Sequence, residues 1–391
     1  MKPTNPVYTG LPMTIFEVMS RLAREHNSIN LGQGFPDVDG PEDIKRIAAE
    51  EFVHGLNQYP PMMGIPELRK AVADANRRFY GLDVDWQSEV LVTSGATEAL
   101  SDCMAGLIVP GDEVVLIEPL YDCYLPLVKR AGATPRLVRV TPPDWRLDET
   151  ALAAAFGPKT KAILLNNPMN PAGKVFTRDE LELIAELCIR HDALAICDEV
   201  YEHIVFGDAK HIPLMTFPGM RERTIRIGSA GKTFSLTGWK VGYLTASPRV
   251  LEPVTKAHQF TTFTTPAGLQ KAVAVGLAKS DDYYKALAGD LQVKRDRFSA
   301  GLAGVGFDVA ACDGTYFLTA DVTPLGLGDD AELCRVITVQ AGVTAIPVSA
   351  FYTENPPTNF IRFCFAKRDE VLDGAVERLS HWIAQPARAR A

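Results

Sequence analysis

The middle of this chain alternates between two textures, and that alternation limits its fold more than any other feature. Short, almost wholly apolar runs occur at 90–93 (VLVT), 113–118 (EVVLIE), 162–166 (AILLN), 193–197 (ALAIC), 224–228 (TIRIG) and 241–245 (VGYLT). Between several of them apolar residues recur at helical spacing: over 180–190, Leu181, Ile184, Leu187 and Cys188 share one face. Strands apolar on both faces must be covered on both faces, so the pattern predicts an α/β unit with a mainly parallel sheet between helices. After about residue 282 the texture changes. A long helical stretch over 282–302 is followed by FDVAA, TYFLTADV and FIRFCFA, strand signals with fewer helices between them, which predicts a smaller α+β unit. The first 45 or so residues carry few strand signals. No repeat, low-complexity segment or linker-like break interrupts the chain.

Composition narrows the role. A chain of 391 residues has room for two domains, and 47% hydrophobic with 23% charged residues suits a soluble globular protein. The polar, Ala/Arg-rich stretch 385–391 is expected to fray. A net charge of −8 argues against a nucleic-acid binder. The seven cysteines are scattered, odd in number and never spaced C-x-x-C, so neither a disulfide framework nor a zinc site is expected. Reduced thiols in a cytoplasmic protein are the expectation. The N-terminus lacks an apolar signal core, and no run approaches the ~20 apolar residues of a membrane span.

In open α/β sheets ligands bind beyond the carboxyl ends of the strands. Four of the runs end in polar segments, three of them punctuated by Gly or Pro: 94–98 (SGATE), 167–173 (NPMNPAG) and 229–233 (SAGKT), with 198–201 (DEVY) the fourth. Lys232, flanked by small residues, is a candidate nucleophile if its amine is desolvated; the alternative is a solvated surface lysine. Asp198 would be expensive to bury without a cationic partner such as a protonated ring nitrogen; the alternative is a helix N-cap. Gly95, Ala96 and Thr97, at the start of a helical pattern over 98–108, could offer backbone N–H groups to a phosphate, or form an ordinary Ser/Thr cap. Asn170 sits in a proline-rich turn that could hold its amide still for a ligand. Arg362 lies in an apolar strand, where it needs a carboxylate: either a substrate's, or that of an Asp or Glu in a structural ion pair.

Taken together and in this order, these segments resemble the class I/II aminotransferases of fold type I. GQGFPD (32–37), NQY (57–59), YDCY (121–124) and GWKVG (238–242) complete the match, which runs from about residue 10 to 380. Within that family the chain is most similar to the kynurenine, glutamine and methionine aminotransferases. The resemblance implies a three-layer α/β/α large domain over 46–285, a small α+β domain over 286–391, and an N-terminal arm over 1–45 that shares in the small domain. It implies pyridoxal 5'-phosphate held by Lys232 as a Schiff base, with Lys232 also moving the substrate α-proton. Asp198 would pair with the ring nitrogen, Asn170 and Tyr201 would bond the ring oxygen, and Tyr121 would stack on the ring. Gly95, Ala96, Thr97, Ser229 and Lys240 would hold the phosphate, and Tyr59 would reach the phosphate of a second subunit, which makes the expected assembly a homodimer with shared sites. Many relatives carry arginine where this chain has Lys240; the kynurenine-type branch is similar in having lysine. Arg362, with Asn170 and the Gly34 backbone, would grip the substrate α-carboxylate. Phe16 and Phe263, the latter across the dimer, match aromatic pocket positions, with packing as their alternative role.

The implied activity is ping-pong transamination between an aromatic, thioether or other neutral L-amino acid and a 2-oxo acid, because no second arginine suits a side-chain carboxylate. No metal is expected. A β-carbon–sulfur lyase would use nearly the same residues. A cofactor-sensing domain of a transcription regulator is disfavoured by the lack of a basic helix-turn-helix segment, and a nicotinamide dehydrogenase by the lack of G-x-G-x-x-G after any strand.

Overall fold

A computed structural model describes residues 2–326 and 329–385; most of the stretch expected to fray, from 386 on, lies outside them. In chain order the strands are β1 (Ile29–Asn30), β2 (Val90–Thr93), β3 (Glu113–Glu118), β4 (Thr134–Arg139), β5 (Thr160–Asn166), β6 (Leu194–Asp198), β7 (Thr224–Ser229), β8 (Gly242–Thr245), β9 (Asp308–Val309), β10 (Phe317–Asp321), β11 (Val343–Thr344), β12 (Ile346–Pro347) and β13 (Phe360–Cys364).

Seven strands form one sheet in the order β2-β8-β7-β6-β5-β3-β4. All are parallel except β8, which runs antiparallel to both its neighbours. The alternation of side chains along each strand divides the apolar residues between two cores. In β6, Ala195 and Cys197 join the core under the helix Arg178–Arg190, while Ile196 faces the opposite core under the helices Ala96–Leu107 and Pro248–Thr261. This is the three-layer α/β/α arrangement. The apolar runs missed one strand, β4. It lies at the sheet edge, is largely exposed, and TPRLVR therefore carries no continuous apolar signal.

Beyond the long helix Asp281–Gly304, which runs through the division expected near residue 285, β12-β13-β10-β9 form a second, antiparallel sheet. The helices Asp281–Gly304 and Asp369–Ile383 pack together beside it in one core with Phe298, Phe317 and Phe363. The N-terminal segment belongs to this part as well: β1 pairs in parallel with β11, Cys364 N–H donates to Leu31 O at 2.7 Å, and Asp37 N–H to Ala366 O at 3.0 Å. Residues 29–37 are thereby laid against the small sheet, facing the carboxyl ends of β2, β5, β6 and β7. No helix is long and apolar enough to cross a membrane among the described residues.

Candidate active site

Between the two sheets lies a cavity of about 440 Å³. Its walls come from four strand ends of the large sheet and from β13 and the N-terminal segment opposite. Lys232 projects into it from the short helix Ala230–Thr233 that follows β7. It is not a solvated surface lysine. Its Nζ donates to Tyr316 Oη at 3.0 Å, and burial pulls the amine down to about 8; Arg362 and Lys240 push the same way, while Cys364 and Asp198 oppose. A substantial fraction of such an amine is neutral near pH 7–8, the condition a nitrogen nucleophile needs.

Asp198 ends β6 and is buried. No helix follows it, so it is not an N-cap: Val200 N–H approaches its Oδ1 at 3.4 Å in a turn, and Tyr124 Oη donates to its Oδ2 at 2.7 Å. Burial pushes this carboxyl above its ordinary value. A cationic nitrogen against it would offset that desolvation.

The segment after β2 is built for an anion. Gly95 caps the helix Ala96–Leu107 at φ +84 with no side-chain capping bond, so the first N–H groups of the helix are left for a ligand. The expected Ser/Thr cap is absent; instead the Glu98 carboxylate turns back to Ser94 N–H. A Cβ at Gly95 would meet Lys240 Cε at 3.1 Å and Nζ at 3.3 Å, so the glycine lets an ammonium group lie directly over the backbone. Ser229 lines the same rim, its Oγ accepting from Gly231 N–H at 3.2 Å.

Arg362 on β13 is fully buried, and among the described residues no carboxylate pairs with it. Its Nη1 donates to Asn170 Oδ1 at 2.8 Å and its Nη2 to Gly32 O at 2.6 Å, while Nε has no hydrogen-bond partner. A guanidinium carries five N–H donors, so besides the buried Nε–H, one further N–H on each Nη has no partner among the described residues. Phe317 lies 4.0 Å from its central carbon, and Phe16 and Phe351 lie 5.2 Å away. Asn170 is itself fixed through its N–H to Asn166 Oδ1 at 2.8 Å. Gly34, Tyr121 and Tyr201 complete the walls; a Cβ at Gly34 would come within 2.7 Å of Phe317.

The cavity thus gathers most of the residues singled out from the sequence, but not Tyr59 and Phe263. Those two rings meet edge-on at 5.6 Å outside it; Tyr59 is 81% and Phe263 39% exposed. Three contacts at the site are ones the sequence motifs do not announce: Tyr124 on Asp198, Phe317 on Arg362, and Tyr316 on Lys232. Tyr124 lies in the YDCY run, and Tyr316 and Phe317 lie in the strand signal TYFLTADV.

The residues present suit one kind of ligand. They offer a partly neutral amine for an aldehyde, a buried carboxylate for a ring cation, and a glycine-floored cradle of N–H groups with an ammonium for a phosphate. Pyridoxal phosphate has all three complements.

Residues 26–379 match the family described as aminotransferase class I and II. Over 386 residues the chain is 45% identical to a protein of Mycobacterium tuberculosis named probable N-succinyldiaminopimelate aminotransferase DapC, across 96% of this chain and 97% of that one. It is 42% identical to human kynurenine–oxoglutarate transaminase 3, across 96% of this chain and 89% of the relative. The solved structure of YbdL from Escherichia coli, for which a methionine aminotransferase function was identified, matches with a TM-score of 0.94 at 38% identity over 97% of this chain and 100% of that one.

Proposed function

The chain belongs to the class I and II aminotransferases, and from that premise we propose that its amino donor is an L-amino acid with an aromatic, thioether or other neutral side chain. The enzyme is a pyridoxal-phosphate-dependent transaminase acting between amino acids and 2-oxo acids. The observation that carries the finer reading is the cavity's charge inventory. Its cations are Lys232, Lys240 and Arg362, and its walls also carry the acids Glu17, Asp122 and Asp198. If Lys232 takes the aldehyde, Lys240 the phosphate and Arg362 the α-carboxylate, no cation is left in the cavity among the described residues for a carboxylate on the side chain.

When bound, pyridoxal phosphate supplies an electron-poor ring that stabilises negative charge at the substrate α-carbon. Lys232 would hold it covalently, and its released Nζ would take the α-proton. Asp198, oriented by Tyr124, would keep the ring nitrogen protonated. Asn170 and Tyr201 would bond the ring oxygen, and Tyr121 would cover a ring face. Gly95, Ala96 and Thr97, with Ser229 and Lys240, would hold the phosphate. Arg362, braced by Asn170 and Gly32, would fix the substrate α-carboxylate next to the Gly34 backbone, with Phe16 beside the side chain. Tyr59 and Phe263, exposed and outside their own chain's cavity, would serve the cavity of a second copy in a homodimer.

The first test is Lys232→Ala. The visible absorption band of the cofactor-loaded protein should disappear together with turnover; an intact band refutes the assignment. A panel of donors with one common 2-oxo acid then tests the substrate. Methionine, kynurenine and phenylalanine should exceed N-succinyldiaminopimelate in kcat/KM, and the reverse order would overturn the charge argument.

A further inference from the structure

We infer that Tyr316 is the partner of the Lys232 amine whenever that amine is free, with its hydroxyl aimed by the Gly34 carbonyl so that it accepts from the amine. The inference deepens the proposed function and rests on Lys232 being the cofactor lysine. Tyr316 directly precedes β10, is 1% exposed, and stands 84 residues along the chain from Lys232. Its Oη donates to Gly34 O at 2.7 Å and accepts from Lys232 Nζ at 3.0 Å.

A phenol has one proton. That proton points at Gly34 O, with the neighbouring Tyr201 hydroxyl as its other acceptor, so lone pairs face the lysine. Gly34 is not free to turn away. Its segment is stitched to the small sheet on either side, by Cys364 N–H to Leu31 O and by Asp37 N–H to Ala366 O. The ring is equally fixed, edge-on to Tyr201 with centroids 5.2 Å apart and against Phe317 at 4.9 Å.

The arrangement favours one protonation state of the lysine. A lone pair stabilises an ammonium donor more than an amine donor, because the bond is then charge-assisted. Tyr316 therefore holds the amine's proton against the desolvation that would strip it. Other groups facing Nζ are Asp198 from β6, Arg362 and Cys364 from β13, and Lys240 ahead of β8; Arg362 and Lys240 repel the proton. Tyr201 presents its ring to Nζ at 5.5 Å. Tyr316 is thus the neutral, oriented acceptor among mostly charged neighbours, and it ties the position of the N-terminal segment to the proton on the lysine.

The experiment compares wild type with Tyr316→Phe, which keeps the ring and loses the acceptor. In cofactor-free protein, trinitrophenylation of the neutral Lys232 amine by trinitrobenzenesulfonate, which expels sulfite, is followed against pH and resolved to the residue by peptide mass spectrometry. The midpoint should fall by about one pH unit in the variant. In loaded protein kcat should drop about tenfold with KM within about threefold, as expected when a proton-carrying amine loses its positioning. An unchanged or raised midpoint overturns the inference. Should the variant misfold, a crystal structure of the cofactor-free wild type decides: an Nζ–Oη separation beyond ~4 Å overturns it as well. Failure of the underlying reading looks different, since the absorption band would then survive Lys232→Ala.

Discussion

Replacing Arg362 by lysine separates charge from geometry at the proposed carboxylate grip. The native guanidinium donates inside the protein to Asn170 Oδ1 and Gly32 O, and its Nε is buried without a partner; the second N–H on each Nη is left to carry the proposed grip. A lysine retains the positive charge but presents a single point donor. One charge-assisted hydrogen bond is thus lost, worth about 1.5–3 kcal/mol, or roughly 10- to 150-fold in kcat/KM. The assay measures kcat/KM for methionine or phenylalanine and, in parallel, for a primary amine of the same side chain without a carboxylate. The amino acid should lose the full factor and the amine should lose less than about threefold. Equal losses for both would show that Arg362 acts only by bracing Asn170 and Gly32, and the assignment of a substrate grip would fall.

Two further outcomes follow from the geometry. Gly95→Ala places a Cβ about 3.1 Å from Lys240 Cε at a backbone angle of +84°, a combination that strains the cradle by about 1–3 kcal/mol; equilibrium dialysis should show cofactor affinity reduced about tenfold or more, and unchanged affinity would remove the cradle from the phosphate site. His258 is buried with Nδ1 2.9 Å from Glu98 Oε1 and 3.6 Å from Asp102 Oδ2, and Nε2 3.1 Å from Met62 O. Burial alone would lower its pKa, but the neighbouring Asp102 carboxylate and the bond to Glu98 outweigh it and raise the imidazole to about 9. A raised folded value gives stability that is complete below about pH 6.5 and is lost as pH climbs through 9. The melting temperature of the wild type should accordingly decline across that window more than that of His258→Gln, and parallel curves would contradict the charged pairing.

Much of the site was readable because strand ends announce themselves. Lys232, Asp198, Asn170 and the 94–97 turn each follow an apolar run, and the rule that ligands sit beyond such ends needs no tertiary information. What the runs did not disclose was supplied by partners distant in sequence. Tyr316 acquires its position from a hydrogen bond to Gly34, 282 residues earlier. Tyr124 acquires its own from Asp198, 74 residues later. Neither lies at a spacing that periodicity could detect. The alternatives for Asp198 and Arg362 turn on such neighbours too: no helix begins at Asp198, and among the described residues no carboxylate reaches Arg362. The half-exposed edge strand β4 escaped for the opposite reason, because burial wrote too little of itself into its six residues.

The direction of one strand has a consequence for how the site can change. Had β8 run with its neighbours, the chain after β7 would have needed a long crossover, and the start of β8 would have emerged at the far edge of the sheet. Reversed, it begins level with the ends of both flanking strands: Gly242 stands opposite Thr93 on one side and Ser229 on the other. One bend from Ser229 to Gly242 therefore carries a hydroxyl, the candidate lysine and a second basic side chain. Because the two ends of the bend are paired across the sheet, lengthening or shortening it would shift Lys232 and Lys240 relative to Ser229, so their mutual spacing is set by backbone length as well as by side-chain choice.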